Sequence, residues 1–353
     1  MQSFAVKVKK NSAELVRQAL RRLNLLNTGF VTVKDAISVL LPIVGKPSDQ
    51  QWQLIKAIDP DASLLVADFQ QIARRPKDII EALKDKLSPS ELASLPHSID
   101  IIGDIAVVEV PEELKHHEPL IGNAILEVYK NVQAVYVKAG RVEGIFRTRP
   151  LRCIAGIPKE ETVHKEYGCS FVLNVNKVYF SPRLLSERQR VVSQVKAGEV
   201  IVDMFAGVGP YAIRIAKATN AKVYAIDVNP EAIRYLKRNI ELNRVQDRVI
   251  PILGDSRQII LSELINVADR VIMNLPTQAY DYLDAACSAL KKEGGIIHYY
   301  EFTREAFNLE ASKERLSKRI QELGRKVLGV IYAGRVKQVA PRTWQIVIDV
   351  KVA

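Results

Sequence analysis

Cysteine is scarce in this sequence. The 353 residues include three cysteines, Cys153, Cys169 and Cys287, which are far apart and form no C-x-x-C pair. This spacing excludes a disulfide scaffold and a cysteine-based zinc site, and it favours the reducing conditions of the cytoplasm. Histidine is almost as rare, and only His116 and His117 are neighbours, without the spacing of a metal site. The sequence therefore predicts a cytoplasmic protein with no metal.

Long apolar runs are also absent. No uninterrupted stretch approaches the length that crosses a bilayer, and the lysines of the first segment, MQSFAVKVKKNSAELV, are followed by no apolar signal region. The sequence shows no internal repeat, no low-complexity tract and no disordered basic tail. We therefore expect a soluble globular chain without a membrane anchor.

Positive charge is present in excess. Lysine and arginine number 51 against 40 aspartates and glutamates, which gives a formal net charge of +11 and a pI of about 9.4. An excess of this size favours a polyanionic partner. A merely basic, solvated surface is the alternative, and charge alone does not distinguish the two.

Length and pattern predict several domains. A chain of 353 residues exceeds one compact core of ordinary size, so two or three domains are expected. Residues 1–70 carry strand and helix patterns typical of a small α/β unit, and residues 59–78 are expected to form the exit from it. Residues 76–160 predict a second α/β unit, with Pro76 in the first turn of its opening helix.

Residues 161–353 change to a regular alternation of short apolar strands and helices. Five strands separated by helices predict right-handed crossovers and a parallel, doubly wound, Rossmann-like sheet. The last two strand patterns are expected to close the sheet as a hairpin. The predicted fold class is therefore α/β, with a C-terminal doubly wound sheet and two smaller N-terminal α/β domains.

A glycine turn follows the first strand of this sheet. In VIVDMFAGVGPYAIRIA, Asp203 ends the strand, Gly207-Val208-Gly209 form the turn and Pro210 opens the helix. The spacing G-x-G-x-x-A, with Asp227 twenty residues after Gly207, also matches the fingerprint of nicotinamide dinucleotides. Taken alone, the motif does not identify the cofactor.

Three carboxylates favour S-adenosylmethionine. Asp203 would repel a pyrophosphate but suits a cationic amino-acid group, and Pro210 removes a backbone N–H that a phosphate would need. Asp227 ends the second strand, where it suits ribose hydroxyls, and Asp255 follows the third strand, where it suits an adenine amino group. Because the carboxyl ends of parallel strands meet at one edge, these acids are expected to share the ligand crevice. The alternative is that they only cap helices and close turns.

Asn274 ends the fourth strand, in RVIMNLP, and is therefore expected at the same edge. An amide can offer a donor and an acceptor to a planar nitrogen heterocycle, and Pro276 would fix the turn that presents it. As an alternative, Asn274 caps the next helix. Cys287 lies inside that helix, which disfavours carbon methylation through a cysteine nucleophile. Methylation of an exocyclic amine would favour a proline directly after the asparagine, and Leu275 occupies that position instead.

Ring-nitrogen methylation of guanine remains, and it needs two kinds of group. N1 carries a proton at neutral pH, so the reaction requires a base and positive support for the charge on O6. Two upstream segments carry such side chains: Tyr179, Arg183, Glu187 and Arg188 in one, and Arg147, Arg149 and Arg152 in the other. A surface ion pair between Glu187 and Arg183, one helical turn apart, is the alternative to a basic role. For the arginines the alternative is contact with phosphates.

Together these segments resemble the archaeal and eukaryotic tRNA (guanine-37-N1)-methyltransferase family. The resemblance rests on FRTR, VYFSPRLLSERQRV, VDMFAGVGPYAI, AIDVNPEAIRYLKRNIELN, MNLP and IIHYYEF, and it covers most of the chain, including the small N-terminal unit. It implies a class I, S-adenosylmethionine-dependent enzyme, commonly a monomer, that methylates N1 of guanosine 37 in tRNA. It also implies that the N-terminal unit reads the outer corner of the tRNA.

The resemblance further implies roles for single residues. Glu187 would be the general base for the N1 proton, Arg147 would stabilise charge on O6, and Asn274 would orient the guanine. Tyr179 and Pro276 would shape the pocket around it. The implied cofactor-binding set is Arg188, Asp203, Phe205, Gly207, Asp227, Val228, Asp255, Ser256 and Asn274.

Two departures from the family pattern concern the subtype. Ile157 stands where an acid is expected, and Asn174 where an aspartate is usual. One rival is a wyosine-pathway paralogue that transfers the aminocarboxypropyl arm of the same cofactor, or a bifunctional enzyme that also methylates a wyosine intermediate. The turn Asn274–Pro276 favours methyl transfer. A second rival is a tRNA-binding module without turnover, which the presence of Glu187 and Arg147 disfavours.

Overall fold

The computed structural model describes residues 1–72, 75–140, 144, 146, 149–304 and 309–353. The chain forms two compact units, Met1–Lys77 and Asp78–Ala353. Every helix in the described ranges is too short or too polar to span a bilayer.

The first unit is a four-stranded antiparallel sheet with two helices. Its elements are β1 (Gln2–Lys9), α1 (Ala13–Arg22), β2 (Val33–Lys34), β3 (Ser38–Ile43), α2 (Asp49–Ile58) and β4 (Ser63–Asp68), and the strand order is β2-β3-β1-β4. Val16 and Leu20, four residues apart on α1, are buried against the sheet because they lie on one face of the helix. The prediction that residues 59–78 form the exit from this unit is partly wrong. Residues Ser63–Asp68 form β4, which belongs to the sheet and pairs with β1 from Gln2↔Asp68 to Lys7↔Ser63.

The second unit begins with a smaller mixed sheet. Its elements are α3 (Ile79–Leu83), α4 (Pro89–Ala93), β5 (Ile99–Ile102), β6 (Ile105–Val108), a 3-10 helix (Glu112–His117), α5 (Glu118–Val128), β7 (Ala134–Lys138) and β8 (Leu151–Gly156). The strand order is β5-β6-β7-β8. Pro76 does not lie in the first turn of α3, because Asp78 is the N-cap and its side chain accepts from the backbone N–H of Glu81.

A hairpin and a seven-stranded sheet complete the second unit. The hairpin, β9 (Glu161–Glu166) and β10 (Cys169–Asn174), was not predicted. Then follow a 3-10 helix (Pro182–Leu184), α6 (Leu185–Gln194), β11 (Val200–Asp203), α7 (Ala212–Thr219), β12 (Lys222–Asp227), α8 (Pro230–Asn243), β13 (Val249–Leu253), α9 (Ser256–Glu263), β14 (Arg270–Met273), a 3-10 helix (Ala279–Tyr282), α10 (Leu283–Ala289), β15 (Gly295–Thr303), α11 (Leu309–Glu322), β16 (Val327–Ala340) and β17 (Thr343–Val352).

The large sheet has the predicted topology. Its order is β13-β12-β11-β14-β15-β17-β16, with β11 to β15 parallel and β16–β17 an antiparallel hairpin. The chain order reverses between β11 and β14, so a crevice is expected above these carboxyl ends. Strand β17 runs against β15, and its first residues therefore lie at the same edge.

Two clusters of buried side chains cover the faces of this sheet. One contains Met273 and Ile297 with the apolar sides of α10 and α11. The other contains Ile201 and Val347 and extends to Ile105 of the smaller sheet. The two parts of the second unit thus share a core, and the division at residue 160 stays a prediction.

Candidate active site

A cavity of about 1000 Å³ lies at the carboxyl edge of the large sheet. The loops after β11, β12, β13 and β14 form most of its wall, since these four strands are parallel neighbours. It is lined by most of the residues predicted from the sequence: Tyr179, Phe205, Gly207, Asp227, Val228, Asp255, Ser256, Asn274 and Pro276. Glu187, Arg188 and Asp203 lie outside this lining.

The glycine turn is tied to the end of β12. Gly207 has φ +56°, and its N–H donates to Oδ2 of Asp227 over 2.7 Å. At Gly209, with φ +89°, an added Cβ would lie 2.4 Å from Cδ1 of Leu236, so the turn approaches α8 too closely for a side chain. Helix α7 begins at Ala212, two residues after Pro210, which therefore does not open the helix.

The carboxylate of Asp227 holds the glycine turn at the end of β12. Its Oδ1 accepts from the backbone N–H of Asn229 over 2.9 Å. Burial raises the pKa of Asp227, and the backbone N–H donors of Asn229 and Gly207 partly offset the rise. Asn229 caps α8 as its side chain accepts from the N–H of Glu231, and Pro230 occupies the first turn. The carboxylate is thus fixed at the cavity wall.

Asp203 ends β11, directly before Met204 and Phe205, which line the cavity. It is 1% exposed, and no hydrogen bond of ordinary geometry from the described residues reaches either carboxylate oxygen. Burial raises the pKa of this carboxyl to about 7. The nearby backbone N–H of Phe205 lowers the pKa in part, and the charge of Asp227 raises it further. A buried acid without a donor is costly, so its position calls for a cationic or hydrogen-bonding group from outside the protein.

Asp255 serves the fold as well as the cavity. Its Oδ1 accepts from the N–H of Gln258 over 3.1 Å as the cap of α9, and its Oδ2 accepts from the hydroxyl of Tyr282 over 2.9 Å. The ring of Tyr282 meets Phe205 edge to face at 5.2 Å between centroids. Ser256 is buried beside them, and its Oγ has no hydrogen-bond partner in the described part of the chain. Asp255 thus caps a helix and also lines the cavity, so its contact with the cofactor stays a prediction.

Asn274 is held by a residue that the sequence did not single out. The side chain of Gln345, at the start of β17, donates to Oδ1 of Asn274 over 2.9 Å. The 3-10 helix begins at Ala279 after Gln278, so Asn274 is not its cap. Gln345 is 2% exposed, and a glutamine in the apolar run of TWQIVIDV was the available signal. This bond fixes the orientation of the amide, so the Nδ2 group of Asn274 remains as a donor and Oδ1 keeps one acceptor position.

Glu187 is buried in α6. Arg190 donates to both of its oxygens, at 2.8 Å and 2.7 Å, and the hydroxyl of Tyr300 donates to Oε1 at 2.6 Å. The surface pair with Arg183 is wrong, because Arg183 donates to Asp100 instead, at 2.6 Å and 2.9 Å. Leu184, one turn before Glu187, lines the cavity. A catalytic role for Glu187 stays a prediction.

Arg188 is also buried. Its guanidinium forms an ion pair with Glu166, donates to the backbone O of Ser181 over 3.1 Å, and lies 5.2 Å from the ring centroid of Phe180. Tyr179, next to Phe180, is exposed at the cavity rim, where Lys337 donates to its hydroxyl over 3.2 Å. Arg188 therefore buttresses the segment that carries Tyr179, while its predicted contact with the cofactor stays untested.

The arginine segment is described only in part. Arg147 lies outside the described residues, although Gly144 and Phe146 beside it line the cavity. Arg149 donates to Glu109 over 3.3 Å and 3.4 Å. Arg152 pairs with Glu118. The role of Arg147 at O6 stays a prediction.

His116 and His117 acquire a third neighbour in the fold. Glu91 of α4 accepts from Nε2 of His117 over 3.0 Å. One possible metal-ligand atom from each of these three side chains lies within 4.8 Å of the other two. The other oxygen of Glu91 accepts from the backbone N–H of Ser88 over 2.8 Å, in a capping box. A hydrogen-bonded helix cap accounts for this arrangement.

The cavity fits an S-adenosyl group. Ser256 in the lining and Asp203 at the end of β11 have buried polar atoms with no hydrogen-bond partner among the described residues. Asp227 and Asp255 supply acceptors at the ends of adjacent strands, and the glycine turn brings backbone to the cavity wall. Three acids around the turn oppose a diphosphate.

Three family models match successive parts of the chain. The TRM5/TYW2 methyltransferase domain matches residues 162–328, the TYW2 N-terminal domain matches residues 79–160, and the tRNA methyltransferase 5 N-terminal domain matches residues 5–50.

Curated relatives differ in how much of the chain they span. The tRNA (guanine(37)-N(1))-methyltransferase Trm5b of Pyrococcus abyssi is 42% identical, with 99% of each chain covered. The tRNA(Phe) (4-demethylwyosine(37)-C(7)) aminocarboxypropyltransferase of Methanocaldococcus jannaschii is 38% identical over 71% of this chain and 96% of its own.

Solved structures differ in the same way in how much of this chain they cover. The complex of aTrm5 and tRNALeu has a TM-score of 0.78 at 31% identity, covering 99% of this chain and 100% of that one. TYW2 of M. jannaschii in complex with AdoMet has a TM-score of 0.56 at 33% identity, covering 72% of this chain and 99% of its own. The resemblance read from the sequence motifs is thereby confirmed. The chain belongs to the TRM5/TYW2 family of S-adenosylmethionine-dependent methyltransferases.

Proposed function

We propose that this protein transfers the methyl group of S-adenosylmethionine to N1 of guanosine 37 in tRNA. The observation that carries the proposal is the position of Asn274, whose side-chain NH2 is left to donate into the same cavity that Asp227 and Asp255 line. An oriented amide donor beside a cofactor cavity is what recognition of a planar purine requires.

The cofactor would be held by the residues around the glycine turn. Asp203 would face its cationic amino-acid end, Asp227 the ribose hydroxyls, and Asp255 with Ser256 the adenine. When bound, S-adenosylmethionine supplies an electrophilic methyl group on a sulfonium sulfur. Phe205 and Val228 would cover its apolar parts and keep water from the reacting atoms.

Glu187 would take the proton from N1. An ionised carboxylate can accept it and thereby leave the nitrogen lone pair available for the methyl group. The negative charge that remains is shared with O6, where the guanidinium of Arg147 would stabilise it. Tyr179 and Pro276 would confine the purine ring between them. The burial of Glu187 next to Leu184, which lines the cavity, supports this assignment.

tRNA would be the substrate because the relatives that match this chain over almost its whole length act on it or are seen with it. The net charge of +11 suits a polyanion of that size. We assign the first unit, residues 1–70 of the predicted division, to recognition of the tRNA outer corner, and residues 76–160 to further contacts with the RNA. The enzyme would act as a monomer in the cytoplasm.

Aminocarboxypropyl transfer on the wyosine pathway is the second candidate. It is supported by the match to the TYW2 N-terminal domain at residues 79–160 and by the relative with that activity. That relative spans only 71% of this chain, whereas Trm5b spans 99%. Coverage of the first unit therefore favours methyl transfer.

Mass spectrometry of digested tRNA tests the proposal. Purified protein, S-adenosylmethionine and unmodified transcripts bearing guanine or adenine at position 37 are incubated, and the nucleosides are analysed. We expect 1-methylguanosine from the guanine transcript alone. An aminocarboxypropyl adduct would establish the second candidate, and binding of tRNA without any product would establish a non-catalytic module.

A further inference from the structure

The carboxylate of Glu187 is held by two donors on different elements. Arg190, one turn along α6, binds both oxygens, and the hydroxyl of Tyr300 on β15 binds Oε1. Tyr211 in turn donates to the hydroxyl of Tyr300 over 3.2 Å. Among the described residues, Oε1 thus accepts two hydrogen bonds and Oε2 accepts one. Since each carboxylate oxygen has two acceptor positions, Oε2 keeps one position unused.

Arg190 is anchored on its other side. Nη1 donates to Oδ2 of Asp349 over 2.5 Å, and the guanidinium stacks 4.1 Å from the ring centroid of Tyr332. Asp349 lies on β17 and is 0% exposed. Gln194, one turn further along α6, also donates to Asp349, over 3.3 Å. Two carboxylates and an aromatic face therefore hold one guanidinium in a fixed orientation.

The anchor continues into the core through His298. Nδ1 of His298 lies 2.7 Å from Oδ1 of Asp349, and Nε2 lies 3.0 Å from Nη1 of Arg270. Because Arg270 can only donate, Nε2 must accept, so the proton of the neutral ring is on Nδ1 and is donated to Asp349. Burial lowers the pKa of His298, in agreement with a neutral ring. Arg270 ends the chain at Glu199, with Nε 3.1 Å from Oε2.

The direction of every hydrogen bond in this chain is therefore set. Arg270 donates to His298, His298 donates to Asp349, and Arg190 donates to both Asp349 and Glu187. Burial raises the pKa of Asp349, but the hydrogen bonds from His298 and Arg190 more than offset the rise and lower it to about 2. Asp349 is therefore ionised at neutral pH and forms an ion pair with Arg190. Because each of these donors has a defined acceptor, the network has one arrangement and resists rotation.

We propose that Arg190 is a positioning residue for the reaction: anchored by Asp349 and the His298–Arg270 pair behind it, it fixes the carboxylate of Glu187 by two hydrogen bonds and presents Oε2 as the oxygen that accepts the N1 proton. This inference rests on the proposed function of Glu187 as the base. It assigns to the last strand of the chain a part in catalysis, because Asp349 acts on the base through Arg190.

The first test replaces Arg190 by Lys and by Met. Arg190→Met removes the cation that favours the carboxylate form, so we expect kcat to fall roughly 10- to 100-fold and the acid limb of the kcat–pH profile to move to higher pH. Arg190→Lys keeps the charge without the bidentate geometry and should recover part of kcat and restore the limb. Affinity for S-adenosylmethionine, measured by calorimetry, should stay within about threefold of the wild type, since Arg190 does not line the cavity.

Arg234→Met and Arg234→Lys are the matched controls. Arg234 pairs with Glu231 at the same i,i+3 spacing on α8 and also stacks on a tyrosine, Tyr235, but it faces solvent. Both controls should keep wild-type kcat and pH profile. Wild-type behaviour of Arg190→Met, or an equal loss of kcat and cofactor affinity with no movement of the acid limb, would overturn the proposal. If Arg190→Met does not fold, the pH profile of Arg190→Lys against Arg234→Lys decides.

The second test asks whether Asp349 acts through Arg190. Asp349→Asn keeps the shape of the side chain and should lower kcat with cofactor affinity unchanged. The double variant Arg190→Met/Asp349→Asn should lose no more kcat than Arg190→Met alone, because the two residues act as one unit. Additive losses would show that Asp349 acts independently of the base.

An infrared readout separates this inference from the proposed function. In ligand-free protein at neutral pH, Asp203 already gives the carbonyl band of a protonated carboxyl group in the wild type. We expect Arg190→Met to add a second such band, and a further Glu187→Gln change to abolish the added band. If wild-type protein makes no 1-methylguanosine, the proposed function fails and this band alone decides on Arg190. If wild-type protein makes the product but the band is missing and the acid limb is unmoved, the inference fails.

Discussion

The side-chain amide of Gln345 donates a hydrogen bond of 2.9 Å to Oδ1 of Asn274. These residues are 71 positions apart in the chain, and the contact joins the start of the antiparallel strand β17 to the end of the parallel strand β14. It fixes the orientation in which the Asn274 amide presents its donor and acceptor to a ligand. Recognition of the substrate ring thus depends on the hairpin that closes the sheet.

Gln345→Leu should lower kcat/KM for tRNA by roughly 10- to 100-fold. The substitution keeps the buried volume but leaves the Asn274 amide free to rotate, so donor and acceptor are no longer presented in one order. Steady-state methylation of a transcript measures the effect. Gln321→Leu, at an exposed position of α11, is the control and should behave as wild type. Equal kinetics for the two variants would contradict a role for Gln345 in orientation.

Asp203→Asn should stabilise the ligand-free protein at high pH. The carboxyl has a folded-state pKa of about 7 against an ordinary value of 3.8, so the folded state keeps a proton that the unfolded state has lost. The wild-type free energy of unfolding therefore falls as pH rises from about 4 to about 7. Denaturant unfolding should show the variant more stable at pH 8 by on the order of 2 to 4 kcal/mol, with the difference vanishing near pH 4. A pH-independent difference would assign the effect to packing.

Binding of S-adenosylmethionine should release a proton. A cationic amino-acid group beside Asp203 favours its ionised form, so at a pH below about 7 binding must expel the proton that burial retains there. Calorimetry in two buffers of different ionisation enthalpy measures the number released, which should approach one near pH 6, fall to about one half near pH 7 and come close to zero by about pH 8. Asp203→Asn should abolish the release and weaken binding. Release that persists in this variant would point to another group.

Glu187→Gln should lower turnover while cofactor affinity stays near the wild-type value. The amide cannot accept the N1 proton, yet Glu187 does not line the cavity. Single-turnover methylation and calorimetry measure the two quantities on the same preparation. A matched loss of affinity would mean that Glu187 is structural.

Affinity for tRNA should fall steeply with salt. With a net charge of +11, the contacts are expected to be largely to phosphates, and each neutralised phosphate releases condensed counterions. Filter binding over a series of salt concentrations gives the slope of the logarithmic plot, which should be the same for guanine and adenine transcripts. A flat response would exclude a mainly electrostatic interface.

Much of the cofactor edge could be predicted because it follows from short-range patterns. Asp203, Asp227 and Asn274 each end an apolar strand, and parallel strands bring such ends together whatever the rest of the chain does. The capping alternative for Asn274 was open from the sequence and was decided only when the 3-10 helix proved to begin at Ala279. The position of Pro210 outside α7 was missed because helix starts are set by local hydrogen bonds that spacing does not record.

The sequence by itself determined the alternation of strands and helices, the acids at the strand ends and the family motifs, since each is a property of a few neighbouring residues. Only the tertiary structure decided the partners of those residues: Tyr300 is 113 positions from Glu187, and Asp349 is 159 from Arg190. The first contact depends on β15, and the second on β17, which inserts between β15 and β16 and carries the buried side chains of Gln345 and Asp349. A sequence pattern does not show which distant residues will be in contact, because long-range pairing depends on which faces the folded sheet can bury.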